Sequence, residues 1–151
     1  VSNFASTDGC ELLARTLSTP VVTPAVRDEI ERGRDHGHAY LATAVAAIGD
    51  TIPVRTIPEP ASIPSGRIKL DAGEAESLRG AIATDGTIAT DDLAARRAAT
   101  QQDVPVTGSI GLLVHCITHD VLSPETADDW LTTWRDERGY YAPVDSISEV
   151  L

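Results

Sequence analysis

Lysine and methionine are almost missing from this chain, since Lys69 is the sole lysine and no methionine occurs. Acidic residues outnumber basic ones by 23 to 12, which gives a formal net charge of -11. A surface this acidic repels phosphate at low salt, so one interpretation is a protein that avoids nucleic acid. The other is a protein from a high-salt cytoplasm, where charges are strongly screened. The loss of lysine with retention of arginine favours the second interpretation.

Other absences narrow the class of protein. Aromatic residues make up only 4% of the chain, which leaves little stacking surface for the substrate of a glycosidase. Cys10 and Cys116 form no CxxC pattern and are too few for a disulfide framework, so both are predicted to be reduced thiols. No run approaches the roughly 20 apolar residues of a membrane span, so we expect no membrane contact and a cytoplasmic location. Nucleophile elbows, Walker loops and dinucleotide-binding glycine motifs do not occur.

Short β-branched segments alternate with helical segments along the chain, and its hydrophobic residues are mainly Ala, Val, Leu and Ile. At 151 residues the chain is long enough for a single domain with a real core. The alternation predicts an α/β fold in which helices cover both faces of a mainly parallel sheet. A loop rich in proline is predicted at residues 58–66. The predicted strands are residues 20–23, 52–57, 87–90 and 104–107. The predicted helices include one capped by Ser6 or Thr7 that runs through Leu17, one that begins at Leu70, and a long one over residues 124–138 that is capped by Ser123.

The most informative segment is LDAGEAESLRGAIATDGTIATDDLAARRAAT, at residues 70–100. Its first part has helical periodicity, and at about 100° per residue Glu74 falls near the middle of the apolar arc. Glu76 points almost the opposite way, where it can pair with Arg79. A carboxylate buried without a partner costs several kcal/mol. We therefore expect Glu74 to have a partner.

A pair of aspartates follows the predicted strand at residues 87–90. In open α/β sheets, ligands bind beside the carboxyl ends of the strands. One of Asp91 and Asp92 is predicted to cap the next helix, which leaves the other for function. We expect Asp92 at the site, with Asp91 as the cap or as a supporting residue.

A further acidic residue, Glu29, lies on the helix predicted at residues 25–34, between two inward-facing positions by angle. It is either a carboxylate at the edge of that face with an arginine neighbour or a site residue. His36 and His38 form an HxH pair at the start of the next predicted helix. Such a pair can bind metal, but a solvated or capping role is favoured because no third ligand is near in sequence.

The predicted fold would bring Glu29, Glu74 and one aspartate to the same edge of the sheet. Two carboxylates roughly 4 Å apart repel by about 4 kcal/mol at an effective dielectric constant of about 20. Three of them stay ionised together only beside a cation, and the alternatives are protonation or neutralisation by arginine. Carboxylate oxygens suit Mg²⁺ or Mn²⁺, which activate water in phosphoryl transfer.

Four segments together resemble the PIN-domain family, and within it the branch of VapC-like predicted nucleic-acid-binding proteins. They are PVVTPAVRDEIERG, LDAGEAESLRGAIA, TIATDDLAARRAA and VPVTGSIGLLVH. They match a Pro-Val before an acidic residue, a GExEA motif, an Asp-Asp pair before an AAR helix, and a VTGxxGLL segment. The match spans most of the chain, and the acidic, lysine-poor composition adds a haloarchaeal origin to this interpretation.

The resemblance implies a three-layer α/β/α sandwich around a short parallel sheet, with acidic residues gathered at the carboxyl edge. Matched residue by residue, Glu29, Glu74 and Asp92 take the family's second, third and fourth acidic positions. Asp91 lies beside the fourth.

The family's first acidic position is an Asp at the end of a first strand. Here that strand and its Asp would precede Val1, so the opening segment is expected to be the tail of a truncated strand. Ser2 and Asn3 match the polar residues that follow this Asp and are expected to line the site.

Members of the family are typically Mg²⁺- or Mn²⁺-dependent ribonucleases, many are toxins restrained by a small cognate antitoxin, and homodimers are common. The first hypothesis is therefore a metal-dependent endoribonuclease of this toxin type. Its metal ligands would be Glu29, Glu74 and Asp92, and Arg96 would either steer phosphate or lie on a solvated helix face. The second hypothesis is a non-catalytic PIN-like module that binds RNA or a partner protein, which the missing acidic position and the negative surface favour.

Overall fold

The computed structural model describes residues 1–58 and 68–151. The loop predicted at residues 58–66 therefore lies, apart from Pro58, outside the described residues. Helices account for most of the regular structure that is described. The α-helices are α1 (Ser2–Ala5), α2 (Cys10–Thr16), α3 (Pro24–Asp35), α4 (Ala42–Ala47), α5 (Ala72–Thr84), α6 (Leu93–Gln101), α7 (Ser109–Thr118) and α8 (Pro124–Arg138).

The helix ends follow ordinary capping chemistry. In α8, Pro124 occupies the first turn, where its missing N–H costs nothing, and the hydroxyl of Ser123 accepts a hydrogen bond from the amide of Thr126 at 3.2 Å. The helix ends at Gly139, which adopts the left-handed conformation (φ 62°) that glycine tolerates. The predicted bounds of this helix are confirmed.

Two short strands form a parallel pair, β1 (Ile88–Ala89) and β2 (Val106–Thr107). Ile88 pairs with Val106, and Ala89 pairs with Thr107. Each strand is bounded by backbone bonds, such as that from the amide of Thr90 to the carbonyl of Thr107 at 2.9 Å. Because α6 connects the two strands, the segment is a β-α-β unit, as the alternation predicts. The family's three-layer order stays a prediction.

The other two predicted strands are reduced to single bridges. Val22 forms a parallel bridge with Val54, and Ile48 forms one with Ile52. The amide of Val22 donates to the carbonyl of Pro53 at 3.0 Å, and the amide of Arg55 donates back to Val22 at 2.9 Å. These segments are β-branched and extended, but the pairing ends after one residue on either side.

The opening segment departs from the prediction. Residues expected to be the tail of a strand form the helical turn α1 instead, with Phe4 and Ala5 buried. The helix predicted to start at Ser6 or Thr7 begins only at Cys10. The hydroxyls of Ser6 and Thr7 bind the carbonyls of α1, at 2.7 and 3.5 Å, rather than capping α2.

The larger core cluster joins the first and the last thirds of the chain around Trp134, whose side chain is fully buried. Its ring centroid lies 5.0 Å from that of Phe4 and 5.9 Å from that of Tyr140, the latter edge to face. The indole N–H donates to the hydroxyl of Thr7 at 3.3 Å. The segment after α8 is therefore held against α1.

A smaller core cluster supports the β-α-β unit. Leu78 of α5 and Ile88 of β1 are its large buried side chains, and alanines of α6 fill the remaining space. Since alanine side chains are short, α6 lies close to the strand. This cluster fixes the start of α5 and the end of β1 relative to each other.

Both cysteines are buried and free, which confirms the reduced-thiol prediction. Burial raises the pKa of the Cys10 thiol and of the Cys116 thiol, so both stay protonated at neutral pH. Within the described ranges, none of the helices has the length and apolar character that a membrane crossing needs.

Candidate active site

The first turn of α5 contains a capping box. The amide of Glu74 donates to Oδ1 of Asp71 at 2.7 Å, and the amide of Asp71 donates to Oε2 of Glu74 at 3.0 Å. The partner expected for Glu74 is thus the backbone of Asp71. The helix begins at Ala72, so Glu74 lies in its first turn and is half-buried, not in the middle of an apolar face.

The carboxylates of Glu29, Asp71 and Glu74 line one pocket of about 170 Å³ beside the end of β1. Because α3 packs against α5, Glu29 faces the capping box across the helix interface. The approach is close at Gly73, where a methyl group would lie 2.8 Å from Oε2 of Glu29. The predicted gathering of Glu29 and Glu74 at the carboxyl edge is therefore present, with Asp71 as a further member.

The pKa values of Glu29 and Glu74 are both raised. Burial, and then the charge of Asp71, raise the pKa of Glu29, while Arg32 opposes the shift. Burial also raises the pKa of Glu74, and so do the nearby Asp71 and Asp92, against the lowering effect of the hydrogen bond from the Asp71 amide. Burial is the larger cause for both residues, although Glu29 is exposed over much of its surface and Glu74 is half-buried, and the neighbouring carboxylates add to it.

Asp92 is the N-cap of α6, since its Oδ1 accepts a hydrogen bond from the amide of Ala95 at 2.8 Å. The prediction that one of the two aspartates caps this helix is confirmed. Of the two roles predicted for Asp91, the structure shows the supporting one, and the cap is Asp92, the residue expected at the site. The position directly before the helix favours Asp92, because the capping side chain must reach the amide three residues on. The Asp92 carboxyl group is also one of the causes that raise the pKa of Glu74.

Asp91 instead connects three distant parts of the chain. The Ser109 amide donates to Oδ1 at 2.8 Å, the Ser109 hydroxyl donates to Oδ2, and the Tyr140 hydroxyl donates to Oδ1 at 3.3 Å. Burial and the Asp91 charge raise the pKa of the Tyr140 hydroxyl, so it remains a donor at neutral pH. Asp91 supports the site by fixing the start of α7 and the segment after α8 beside β1.

The remaining predicted site residues are divided between two clusters. Asn3 donates to the hydroxyl of Ser109 at 3.0 Å and reaches Oδ2 of Asp91 at 3.5 Å, so it joins the Asp91 network. Ser2 lies apart from that network, with its hydroxyl 3.4 Å from that of Tyr40. Arg96 donates to the carbonyl of Thr90 at 3.0 Å and so lies at the end of β1, not on a solvated face.

Glu76 has a structural role that helical periodicity misses. Its Oε2 accepts a hydrogen bond from the amide of Ala25 at 2.7 Å, in the first turn of α3. The predicted pairing with Arg79 is not among the ion pairs of the described residues. Glu76 thereby holds α3 in place, and Glu29 with it.

Sequence reasoning missed Asp71. The signal was present, because an acceptor three residues before Glu is the pattern of a capping box, and the segment DAGE has it. Placing the helix start at Leu70 concealed the pattern.

The carboxylate oxygens in and beside this pocket fit Mg²⁺ or Mn²⁺ in their chemistry. Gly73 leaves room for the Glu29 carboxylate in this pocket, since a larger residue would occupy the space of Glu29 Oε2. Among the residues that the structure describes, no three His, Cys, Asp or Glu side chains converge closely enough to coordinate one ion.

A family model described as a PIN domain matches residues 1–151. The chain therefore belongs to the PIN-domain family, whose members are generally nucleases and whose fold is α/β. No curated protein and no solved structure matches the chain at a significant level.

Proposed function

We propose that this chain is a metal-dependent endoribonuclease of the VapC-like toxin-antitoxin type, which hydrolyses RNA phosphodiesters with Mg²⁺ or Mn²⁺. The observation that carries this proposal is the pocket at the end of β1, where Glu29, Asp71 and Glu74 lie together and the pKa values of both glutamates are raised. Within a family of nucleases, excess negative charge at a strand end favours a cation site.

The proposed ligands are Glu29, Glu74 and Asp92, with Asp71 as an added member. When bound, the ion supplies an activated water and neutralises charge on the phosphate. Glu29 and Glu74 provide carboxylate oxygens on two sides of the pocket. Asp92 uses Oδ1 as the cap of α6 and keeps Oδ2 without a hydrogen bond among the described residues.

Asp91 is proposed as a positioning residue. Its carboxylate accepts hydrogen bonds from Ser109 and Tyr140, so its oxygens are already engaged. It acts through the backbone, by holding the end of β1 and hence the adjacent Asp92.

The biological setting follows from the same proposal. The partners would be an RNA substrate, a small cognate antitoxin and a second copy of the chain in a homodimer. The net charge of -11 and the sole lysine support a haloarchaeal cytoplasm as the working environment.

One observation favours a second candidate, a PIN-like module that binds RNA or protein without cleaving it. Both aspartates after β1 already serve the fold, Asp92 as a helix cap and Asp91 as the centre of a hydrogen-bond network. In that case, the carboxylate pocket would not support hydrolysis with any divalent ion.

The deciding experiment is RNA cleavage by purified protein in molar salt with Mn²⁺ or Mg²⁺, before and after chelation. We expect cleavage that stops with the chelator and returns with the ion. Glu29→Gln should reduce it strongly, whereas Glu137→Gln, the same change at an exposed position of α8, should not. Absence of cleavage on every RNA, together with no Mn²⁺ binding by calorimetry, would exclude the nuclease and favour the binding module.

Gly73→Ala offers a steric test of the pocket. The new methyl group would displace the flexible carboxylate of Glu29 and lie 3.3 Å from Cγ2 of Val26. Alanine is a better helix former than glycine by up to about 1 kcal/mol in a helix interior, but Gly73 lies in the first turn, where the gain is smaller. We expect the free energy of unfolding to change little, together with about tenfold weaker Mn²⁺ binding. Titration calorimetry and urea unfolding measure the two effects.

The control for Gly73→Ala is the same change in a Glu29→Gln background. There the methyl group should have little further effect on Mn²⁺ binding, because the displaced carboxylate is already gone. Full additivity of the two changes would show that Gly73 acts elsewhere.

A further inference from the structure

A second groove, of about 390 Å³, adjoins the carboxylate pocket and shares Glu29, Asp71 and Gly73 with it. Its other wall has the opposite chemical character. That wall is formed by Arg32, His36 and His38, and we call the space between the two walls the Arg-His groove.

Arg32 brings a positive charge to the groove, close enough to Glu29 to lower the pKa of that carboxyl group. On the same helix, Arg27 binds Asp28 and Arg34 binds Asp35, at 2.7 and 2.8 Å. Arg32 forms no ion pair among the described residues, and its Nε donates to the carbonyl of Asp28 at 3.2 Å. This bond steadies the guanidinium while its terminal nitrogens remain available.

The two histidines complete the wall. His36 follows the last residue of α3, and its Nδ1 donates to the carbonyl of Arg32 at 2.6 Å. This bond occupies Nδ1 and leaves Nε2 without a hydrogen bond among the described residues. His38 is exposed, with its ring edge-on to Tyr40 at 6.0 Å between centroids.

We propose that the Arg-His groove binds a backbone phosphate of single-stranded RNA next to the phosphate held at the carboxylate pocket. The inference rests on the proposed function. A chain with net charge -11 repels RNA over most of its surface, so a contact beside the site is needed to hold the strand. Guanidinium and imidazole N–H groups bind phosphate oxygens through charge-assisted hydrogen bonds.

An arginine lies near each of the two spaces. Arg96 donates to the carbonyl of Thr90, a residue that lines the carboxylate pocket. Arg32 lines the adjoining Arg-His groove together with Glu29 and Asp71. A strand that occupies both spaces would therefore have one guanidinium near it in each.

The test is a binding measurement with a fluorescein-labelled, mixed-sequence single-stranded RNA, followed by anisotropy with Mg²⁺ over a range of KCl. The full chain carries Glu74→Gln to slow cleavage. Arg32→Gln and His38→Gln are compared with Arg34→Gln, which removes the same charge from the same helix outside the groove. Thermal unfolding of each variant checks that the fold is intact.

We expect Arg32→Gln to weaken RNA binding about tenfold and to reduce the salt slope by about 0.7, as for one lost phosphate contact on a single strand. His38→Gln should weaken it less, and Arg34→Gln by less than about twofold. Single-stranded DNA of the same sequence should show the same losses, because the contact is to phosphate.

Equal losses for Arg32→Gln and Arg34→Gln would overturn the proposal, since they would show a general charge effect. So would a loss confined to one RNA sequence. The two proposals can fail independently. If the protein cleaves no RNA but Arg32→Gln weakens RNA binding, the Arg-His groove is supported and the nuclease proposal is overturned. If the protein cleaves RNA and Arg32→Gln leaves the affinity unchanged, the nuclease proposal is supported and the groove is overturned.

Discussion

Glu74→Gln is expected to lower the rate of RNA cleavage by at least about a hundredfold and, at neutral pH, to raise the melting temperature. The first effect follows from loss of a charged oxygen ligand in the carboxylate pocket. The second follows from removal of a carboxylate whose charged form is disfavoured first by burial and then by Asp71 and Asp92. A gain in stability combined with a loss of activity is typical of a residue kept for function.

The pH dependence of this stability gain has a defined sign. Burial, with Asp71 and Asp92, raises the pKa of Glu74 above its ordinary value of 4.5. The neutral form is therefore favoured by folding, and its contribution is complete below pH 4.5 and lost as the pH rises through the raised pKa. Glutamine is always neutral and still serves the capping box. The difference in melting temperature should thus be near zero at low pH and largest at neutral pH.

Calorimetric melts in chelator across this pH range, with Glu137→Gln as the control, measure the effect. The control removes an equal charge from an exposed position of α8 and should show no such pH dependence. A lower melting temperature for Glu74→Gln at neutral pH would contradict this expectation. It would mean that the hydrogen bond from the Asp71 amide to the ionised Glu74 stabilises the protein more than burial and the neighbouring carboxylates destabilise it.

Trp134→Ala is expected to have the largest effect on stability, about 3–5 kcal/mol. The indole is fully buried, contacts Phe4 and Tyr140, and donates to Thr7, so truncation creates a cavity and loses a hydrogen bond. Since domains are stable by only about 5–15 kcal/mol, much of the chain's stability would be lost. Urea unfolding by circular dichroism measures it.

Tyr141→Ala is the matched control, since this aromatic residue lies close along the chain and its side chain is 90% exposed. It should change the free energy of unfolding by less than about 0.5 kcal/mol. If Trp134→Ala costs no more than this control, the packing of α8 on α1 does not stabilise the protein.

Much of the site could be predicted because carboxylates in semi-apolar positions are informative. Glu29 and Glu74 were found from helical angle, and the resemblance placed them in one set. Angle alone depends on where the helix begins, and for α5 the predicted start was two residues early. Because of that small shift, Asp71 was not recognised as part of the capping box. Glu74 was also predicted to be more buried than it is, whereas its carboxylate accepts a local hydrogen bond from the Asp71 amide.

The short strands and the roles of the aspartates show another limit. Strand length depends on which neighbour is available for pairing, so the segment around Val22 forms one bridge where its β-branched sequence predicts four residues of strand. Asp91 and Asp92 have the same side chain, so their roles cannot be told apart by residue type. Asp91 has the supporting role because Ser109 and Tyr140, which are distant in sequence, donate hydrogen bonds to it. Long-range partners of this kind leave no periodic signal in a sequence.

The Asp91 network also makes the edge of the site depend on two segments that are far apart in sequence. Asn3 lies in the opening helical turn and Tyr140 lies after α8, and both reach the same carboxylate beside β1. Loss of either segment would remove a hydrogen bond from Asp91. Damage far from the carboxylate pocket is therefore expected to reach the strand end that borders it.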